Sequence, residues 1–293
     1  MTESAGLRGR GSGDSDGGLL DRLLHRRQPA LNVAIDEGEG PVVVLLHGIA
    51  SSHVTFEFVV PLLRADHRVI ALDLLGFGGS SAPEGATFTL DEHALWVRRT
   101  VRRLGLTEPI VLVGHSMGAL VASRFAARYA HRVSRLVLVS PPIYLPPDVV
   151  GDPVDRAAMR FYREAYDYLR ANPRFTMRAA SVVGRLSPIK DNLLINEGNW
   201  TPFVLSLQNS IESQSAITDI ATADVETRVV YGTLDPFVVP GAIRLIERLR
   251  HVTVQRVPGN DHVVRPRMAR AVAAAVDGRP PGSSAVQGGS GAE

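Results

Sequence analysis

Ser116 stands in "GHSMG", with Gly114 and Gly118 two residues to either side. A hydroxyl is a poor nucleophile at neutral pH, so a catalytic serine needs a base and a carboxylate that orients it. Nine histidines and thirty carboxylates are available. His262, in "VPGNDHVV", follows the last apolar run, and Asp235, in "YGTLDPFVVP", follows the one before it. Taken in chain order Ser116, Asp235 and His262 make a Ser…Asp…His set, the arrangement of a nucleophile, its orienting acid and its base. Asp261 sits beside His262 but is expected to point elsewhere. His115 is expected to point away from its neighbour Ser116, because side chains alternate at a strand end. His53, His67, His93, His131 and His251 sit in polar surroundings and read as surface residues.

Three loops can converge only if the elements carrying them lie side by side. Six apolar runs, at 42–47, 68–73, 110–115, 135–140, 227–232 and 252–257, read as buried strands. They are continuous rather than alternating, as a sheet covered on both faces requires. Helical patterns at 91–104, 117–130 and 241–250 separate them, which implies an α/β fold with a mostly parallel central sheet and helices on both faces. "LNVAIDEGEG" suggests an antiparallel strand and turn leading into it. The glycines around Ser116 permit a sharp reversal from strand to helix, and the helix start favours negative charge.

The alternation breaks between Ser140 and Ala223. The segment 141–223 reads as a helical cap or lid inserted at the sheet edge where such folds bind ligands. The remaining boundaries are a core of 19–140 with 224–277, and disordered tails at 1–18 and 278–293, rich in Gly, Ser and Pro. "LLDRLLHRR" suggests a short amphipathic helix packed on the domain.

Composition narrows the chemistry. A chain of 293 residues that is 45% hydrophobic can bury a large core. It has no cysteine, so no thiolate nucleophile, cysteine-bound metal or disulfide. Together with the lack of a long apolar run, that points to a cytoplasmic protein without stable membrane insertion. The formal net charge is +2, carried almost wholly by arginine, with Lys190 the single lysine. The arginines of "WVRRTVRRLG" read as a solvated helix face, with no aromatic platform for nucleic acid.

With "GHSMG" go "LLHGIASS", "DLLGFGGSSAP", "GTLDPFVVP" and "GNDHVV". Across roughly residues 30–277 these resemble a serine hydrolase of the α/β-hydrolase superfamily. The resemblance implies that the backbone N–H groups of Ile49 and Met117 form the oxyanion hole, with His47 and Gly48 shaping that loop. It gives Asp73, Gly76, Gly78 and Ser80 a structural role. No metal or organic cofactor is implied. Epoxide and haloalkane hydrolases of the superfamily use an aspartate where this chain has Ser116. The carbon–carbon bond hydrolases usually have an asparagine at His115 and a tryptophan at Val263, two departures here. The leading expectation is cleavage of carboxylic esters or thioesters through an acyl-enzyme. Carbon–carbon bond hydrolysis, cofactor-free perhydrolase or haloperoxidase chemistry, and a slow-turnover ligand sensor stay open. Phe161, Tyr162, Tyr166, Tyr168, Phe175, Trp200 and Phe203 suggest a small-molecule substrate with an apolar acyl or aromatic group.

Overall fold

The computed structural model describes residues 29–144, 152–190 and 192–280. The expected tail at 1–18, the helix of "LLDRLLHRR" and most of the expected tail at 278–293 lie outside the described residues.

Seven strands form one sheet: β1 (Val33–Glu37), β2 (Val42–Leu46), β3 (Arg68–Leu72), β4 (Ile110–His115), β5 (Val133–Val139), β6 (Thr227–Gly232) and β7 (Val252–Val257). Their order is β1-β3-β2-β4-β5-β6-β7. β1 pairs antiparallel with β3, and every other pairing is parallel. The continuous apolar runs are now explained. Val44, Leu46, Leu112, Leu136 and Leu138 enter one core cluster, while the alternate residues Val43, Leu45, Val111, Val113 and Val137 enter another. Both faces of the sheet are therefore dry, and both residue sets must be apolar. β7 departs from that pattern. Like β1 it is an edge strand, and its burial is broken at Thr253 and Arg256.

The first core takes α2 (Leu90–Arg103) through Trp96, Val97 and Val101, and α3 (Met117–Arg128) through Leu120 and Phe125. The second takes α1 (Val60–Leu63) and α9 (Pro266–Val276), the latter through Met268, Val272 and Val276. α2 starts where Thr89 caps the N–H of Glu92 and carries Asp91 and Glu92 in its first turn, both favourable at the positive end of a helix. Its Arg98, Arg102 and Arg103 are exposed, as a solvated face would be.

Between β5 and β6 the chain inserts α4 (Pro153–Ala171), α5 (Pro173–Leu186), α6 (Trp200–Ser206), a π-helical turn (Leu207–Glu212) and α7 (Ala216–Ala223). α7 buries Ala216, Ile220 and Ala223 in the same core as α3. α8 (Pro240–Ile246) links β6 to β7. At the end of α9, the carbonyls of Gly278 and Arg279 accept from the Arg228 guanidinium.

Candidate functional site

Ser116 ends β4 and begins α3 with φ 54° and ψ −124°. A non-glycine residue in that region is strained by about 1–3 kcal/mol, and the surroundings must hold it there. Here they do. A Cβ on Gly114 would lie 2.2 Å from the carbonyl oxygen of Gly118, and one on Gly118 would lie 2.2 Å from that of Leu46. Only glycine fits at either place, so strand and helix meet at backbone contact and Ser116 is forced to the apex.

The loop after β2 passes beside the serine. A Cβ on Gly48 would come within 3.0 Å of Ser116 Cβ and 3.5 Å of its Oγ. His47 Nδ1–H donates to the carbonyl of Gly48 at 2.7 Å, while its Nε2 accepts from the N–H of Leu74 at 2.8 Å. Those two bonds fix a neutral ring, and burial pushes its pKa down to about 4. Because C=O and N–H oppose one another across a trans peptide, pinning the Gly48 carbonyl also aims the N–H of Ile49. Among the described residues neither the N–H of Ile49 nor that of Met117 has a hydrogen-bond acceptor.

The other two loops approach from β6 and β7. A Cβ on Gly232 would lie 2.1 Å from the carbonyl oxygen of Asn260, so the carboxylate and imidazole loops touch at a glycine. His262 Nδ1 donates to Asp235 Oδ2 at 2.9 Å and reaches Oδ1 at 3.0 Å. Asp235 Oδ1 also accepts from the N–H of Phe237 at 3.0 Å. Burial alone would raise the Asp235 pKa, but the hydrogen bond and charge of His262 outweigh it and hold the carboxyl below its ordinary value. With the proton on Nδ1, the neutral ring keeps its lone pair on Nε2. Asp261 faces away, as expected, in a two-point pair with Arg265 at 3.1 and 2.7 Å.

The structure thus pairs Asp235 with His262 and places Ser116 against the Gly48 loop. Among the described residues Ser116 Oγ and His262 form no direct hydrogen bond. The link between the two halves is His115, whose Nε2–H donates to the carbonyl of His262 at 2.9 Å and whose ring centroid lies 4.9 Å from the His262 ring. The sequence expectation concerned only the direction of His115 relative to Ser116; its contact with the His262 loop was not foreseen. The chain beyond β7 returns to meet the His115 ring. Burial and the nearby His262 lower its pKa to about 3, and its Nδ1 is buried without a partner. His93 is a correction: it is fully buried, with its pKa lowered to about 3.

Aromatic rings continue from the imidazole into the insertion. Phe237 meets His262 edge-on at 4.7 Å, Tyr162 lies 6.1 Å from Phe237, and Tyr144 stacks on Tyr162 at 5.5 Å. The hydroxyls of Tyr144 and Tyr166 are hydrogen-bonded at 2.7 Å. Burial, and after it the charge of Asp235, raises the Tyr162 pKa, and burial pushes Tyr166 up to about 12. Sequence reasoning missed Tyr144 and Phe237, although Phe237 stands two residues from Asp235. Of the aromatic residues expected to line a pocket, Phe161, Tyr168 and Phe175 instead face solvent. Asp73 is a structural anchor, accepting from the N–H groups of His53 and Gly79 and from Asn32. A cavity of about 810 Å³ adjoins the loop at Ser51 and Ser52, walled by Gly76, Ala86, Leu194 and Pro202, and the Asp235–His262 pair does not line it. Among the described residues no three histidine or acidic side chains converge on a point where a metal would sit.

Residues 41–264 match the family model of the alpha/beta hydrolase fold. The chain belongs to that family. It is 37% identical over 120 residues to a probable lysophospholipase, BODYGUARD 4, of Arabidopsis thaliana, covering 40% of this chain and 28% of that one. It is 33% identical over 158 residues to a haloalkane dehalogenase of Mycobacterium marinum, covering 53% of this chain and 51% of the relative. The matches therefore span about half or less of these curated relatives. Among solved structures, a thermophilic esterase from Thermogutta terrifontis superposes with a TM-score of 0.65 at 23% identity, over 83% of this chain and 90% of the other. At that identity the likeness concerns the fold alone.

Proposed function

We propose that the chain is a serine hydrolase of carboxylic esters or thioesters, acting through an acyl-enzyme on Ser116. The observation that carries this reading is the 2.9 Å bond from His262 Nδ1 to Asp235, which fixes the tautomer a general base needs. His262 Nε2 takes the proton of Ser116 as Oγ attacks the carbonyl carbon. Asp235 stabilises the imidazolium that results. The N–H groups of Ile49 and Met117 donate to the negatively charged tetrahedral oxygen, each such donor supplying about 3 kcal/mol in the transition state. His262 then protonates the leaving alcohol or thiol, and water repeats the steps to free the acid. The Ser116–His262 bond that completes the relay closes when substrate fills the site, as catalytic hydrogen bonds commonly do.

The serine also separates ester cleavage from dehalogenation, although one relative is named for the latter. Displacement of a halide by a hydroxyl would leave an alkyl ether on Ser116. Such an ether has no carbonyl carbon for water to attack, so turnover would stop. An acyl group has one. The helices between β5 and β6 act as a cap, and Phe237, Tyr162 and Tyr144 offer an aromatic wall to an apolar acyl or aromatic substituent.

The test pairs labelling with turnover. A fluorophosphonate should modify Ser116 stoichiometrically, and a series of p-nitrophenyl esters and thioesters should be turned over many times. Ser116→Ala should abolish both while leaving the melting temperature within a few degrees. Wild-type rates in that variant would refute the assignment. One product released per labelled chain would identify a sensor instead.

A further inference from the structure

α5 has three faces where most surface helices have two. At 100° per residue, Thr176 and Ala180 fall on one side, and these are the residues it buries. Phe175, Val182 and Leu186, at i, i+7 and i+11, fall on a second side, and Val183 lies between it and the buried side. They are 52%, 56% and 81% exposed, and Val183 is 55% exposed. The patch continues onto α4, where Tyr168 is exposed and meets the Phe175 ring edge-on at 5.4 Å. Arg174, Arg178 and Arg185 form the third side, next to the apolar stripe, and all three are exposed.

Charge decides what such a face can meet. From Tyr168 to Lys190 the sequence holds no Asp or Glu, while Arg170, Arg174, Arg178, Arg185 and Lys190 are basic. Arg170 is engaged by Asp167 and Glu212, but among the described residues no ion pair engages the other four. A second copy is disfavoured, since a twofold contact through this face would set cations against cations. Nucleic acid would satisfy the arginines and leave the apolar stripe in water. A surface that is anionic outside and apolar beneath satisfies both stripes at once. An amphipathic helix with basic residues flanking exposed Phe, Val and Leu lies in such an interface without crossing it. Consistently, no helix among the described residues is long and apolar enough to span a membrane.

We propose that the exposed face of α5, extended by Tyr168, docks this protein on an anionic lipid bilayer, with Phe175, Val182 and Leu186 in the acyl boundary and the arginines at the headgroups. The surface is separate from Ser116, so its test reads binding rather than turnover. The full chain is sedimented with phosphatidylcholine vesicles, with or without phosphatidylserine at about one lipid in three. Expected is pelleting with the anionic vesicles, much weaker pelleting with the neutral ones, and release in 0.5 M NaCl, where screening shortens to about 4 Å. Each basic side chain near such a surface is worth roughly fivefold in binding, so Arg174→Gln, Arg178→Gln and Arg185→Gln together should weaken it about a hundredfold. Phe175→Ser, Val182→Ser and Leu186→Ser together should weaken it at least tenfold. These positions face solvent, so circular dichroism and turnover of a short soluble ester should be unchanged. Leu186→Ser alone gives a smaller loss and serves if the triple variant misfolds. Failure of the wild-type chain to pellet with anionic vesicles would overturn the proposal, as would undiminished binding in the apolar variants. A dimer in sedimentation velocity that those variants abolish would assign the face to a second copy and overturn it too.

Discussion

Replacing Asp235 with asparagine keeps the shape of the site and removes one charge. The outcome can be worked from three contacts. Oδ1 accepts from the N–H of Phe237 at 3.0 Å, so the amide oxygen must settle there. The amide NH2 then takes the Oδ2 position, 2.9 Å from His262 Nδ1. Two donors would face each other, and the ring relieves the clash by moving its proton to Nε2. That nitrogen then has no lone pair with which to accept from Ser116. The lost charge matters as well. A carboxylate about 4 Å from the imidazolium charge, at an effective dielectric near 20, attracts it by about 4 kcal/mol. At about 1.4 kcal/mol per decade that alone is nearly a thousandfold in rate, and the wrong tautomer carries the expected loss in kcat to about 10⁴-fold. KM should change little, because the Asp235 side chain is buried behind the imidazole. The assay is steady-state turnover of a p-nitrophenyl ester, with fluorophosphonate labelling of Ser116 falling in parallel. A variant that folds and keeps kcat within tenfold of wild type would refute both the role of Asp235 and the tautomer reasoning.

Gly118→Ala puts a methyl 2.2 Å from the Leu46 carbonyl oxygen and 2.4 Å from that of His47, both immobile backbone. We expect a loss of about 1–3 kcal/mol in urea denaturation, together with slower labelling of Ser116; unchanged values for both would show that the turn is not set by close approach. Stability should also depend on pH through His47, His93 and His115, whose pKa values fall from 6.5 to about 4, 3 and 3 on burial. Their folded values lie below the unfolded one, so the unfolded chain binds protons first, and stability is full above about pH 6.5 and declines as pH falls towards the folded values. At pH 5 each contributes a loss of about 2 kcal/mol. His93→Gln, outside the proposed catalytic set, should lessen the slope of stability against pH by about one proton between pH 6 and 5, and an unaltered slope in urea titrations would contradict it.

Much of this molecule is legible locally. Strand β4 and helix α3 were recoverable because an apolar run and a helical period need only neighbouring residues to declare themselves. The elbow was recoverable because two glycines at fixed spacing around Ser116 mark a backbone that no Cβ allows. Asp235 and His262 followed from their places after the last two strands, since a parallel sheet brings the C-terminal ends of its strands to one edge.

What the sequence could not declare were contacts made by return of the chain. His115 touches the carbonyl of a residue 147 positions later, and no local pattern encodes that distance. Whether His93 lies in water or in the core depends on residues far along the chain, such as Ser206, whose Oγ lies 3.5 Å from its Nε2. Its flanking residues, polar on one side, gave the wrong answer. Which aromatic residues of the insertion face the imidazole and which face solvent was likewise set by how α4 and α5 dock. Composition and period fixed the order and nature of the elements, because they are properties of adjacent residues. The direction of each ring was decided only by tertiary packing, because it depends on which distant surface arrives to meet it.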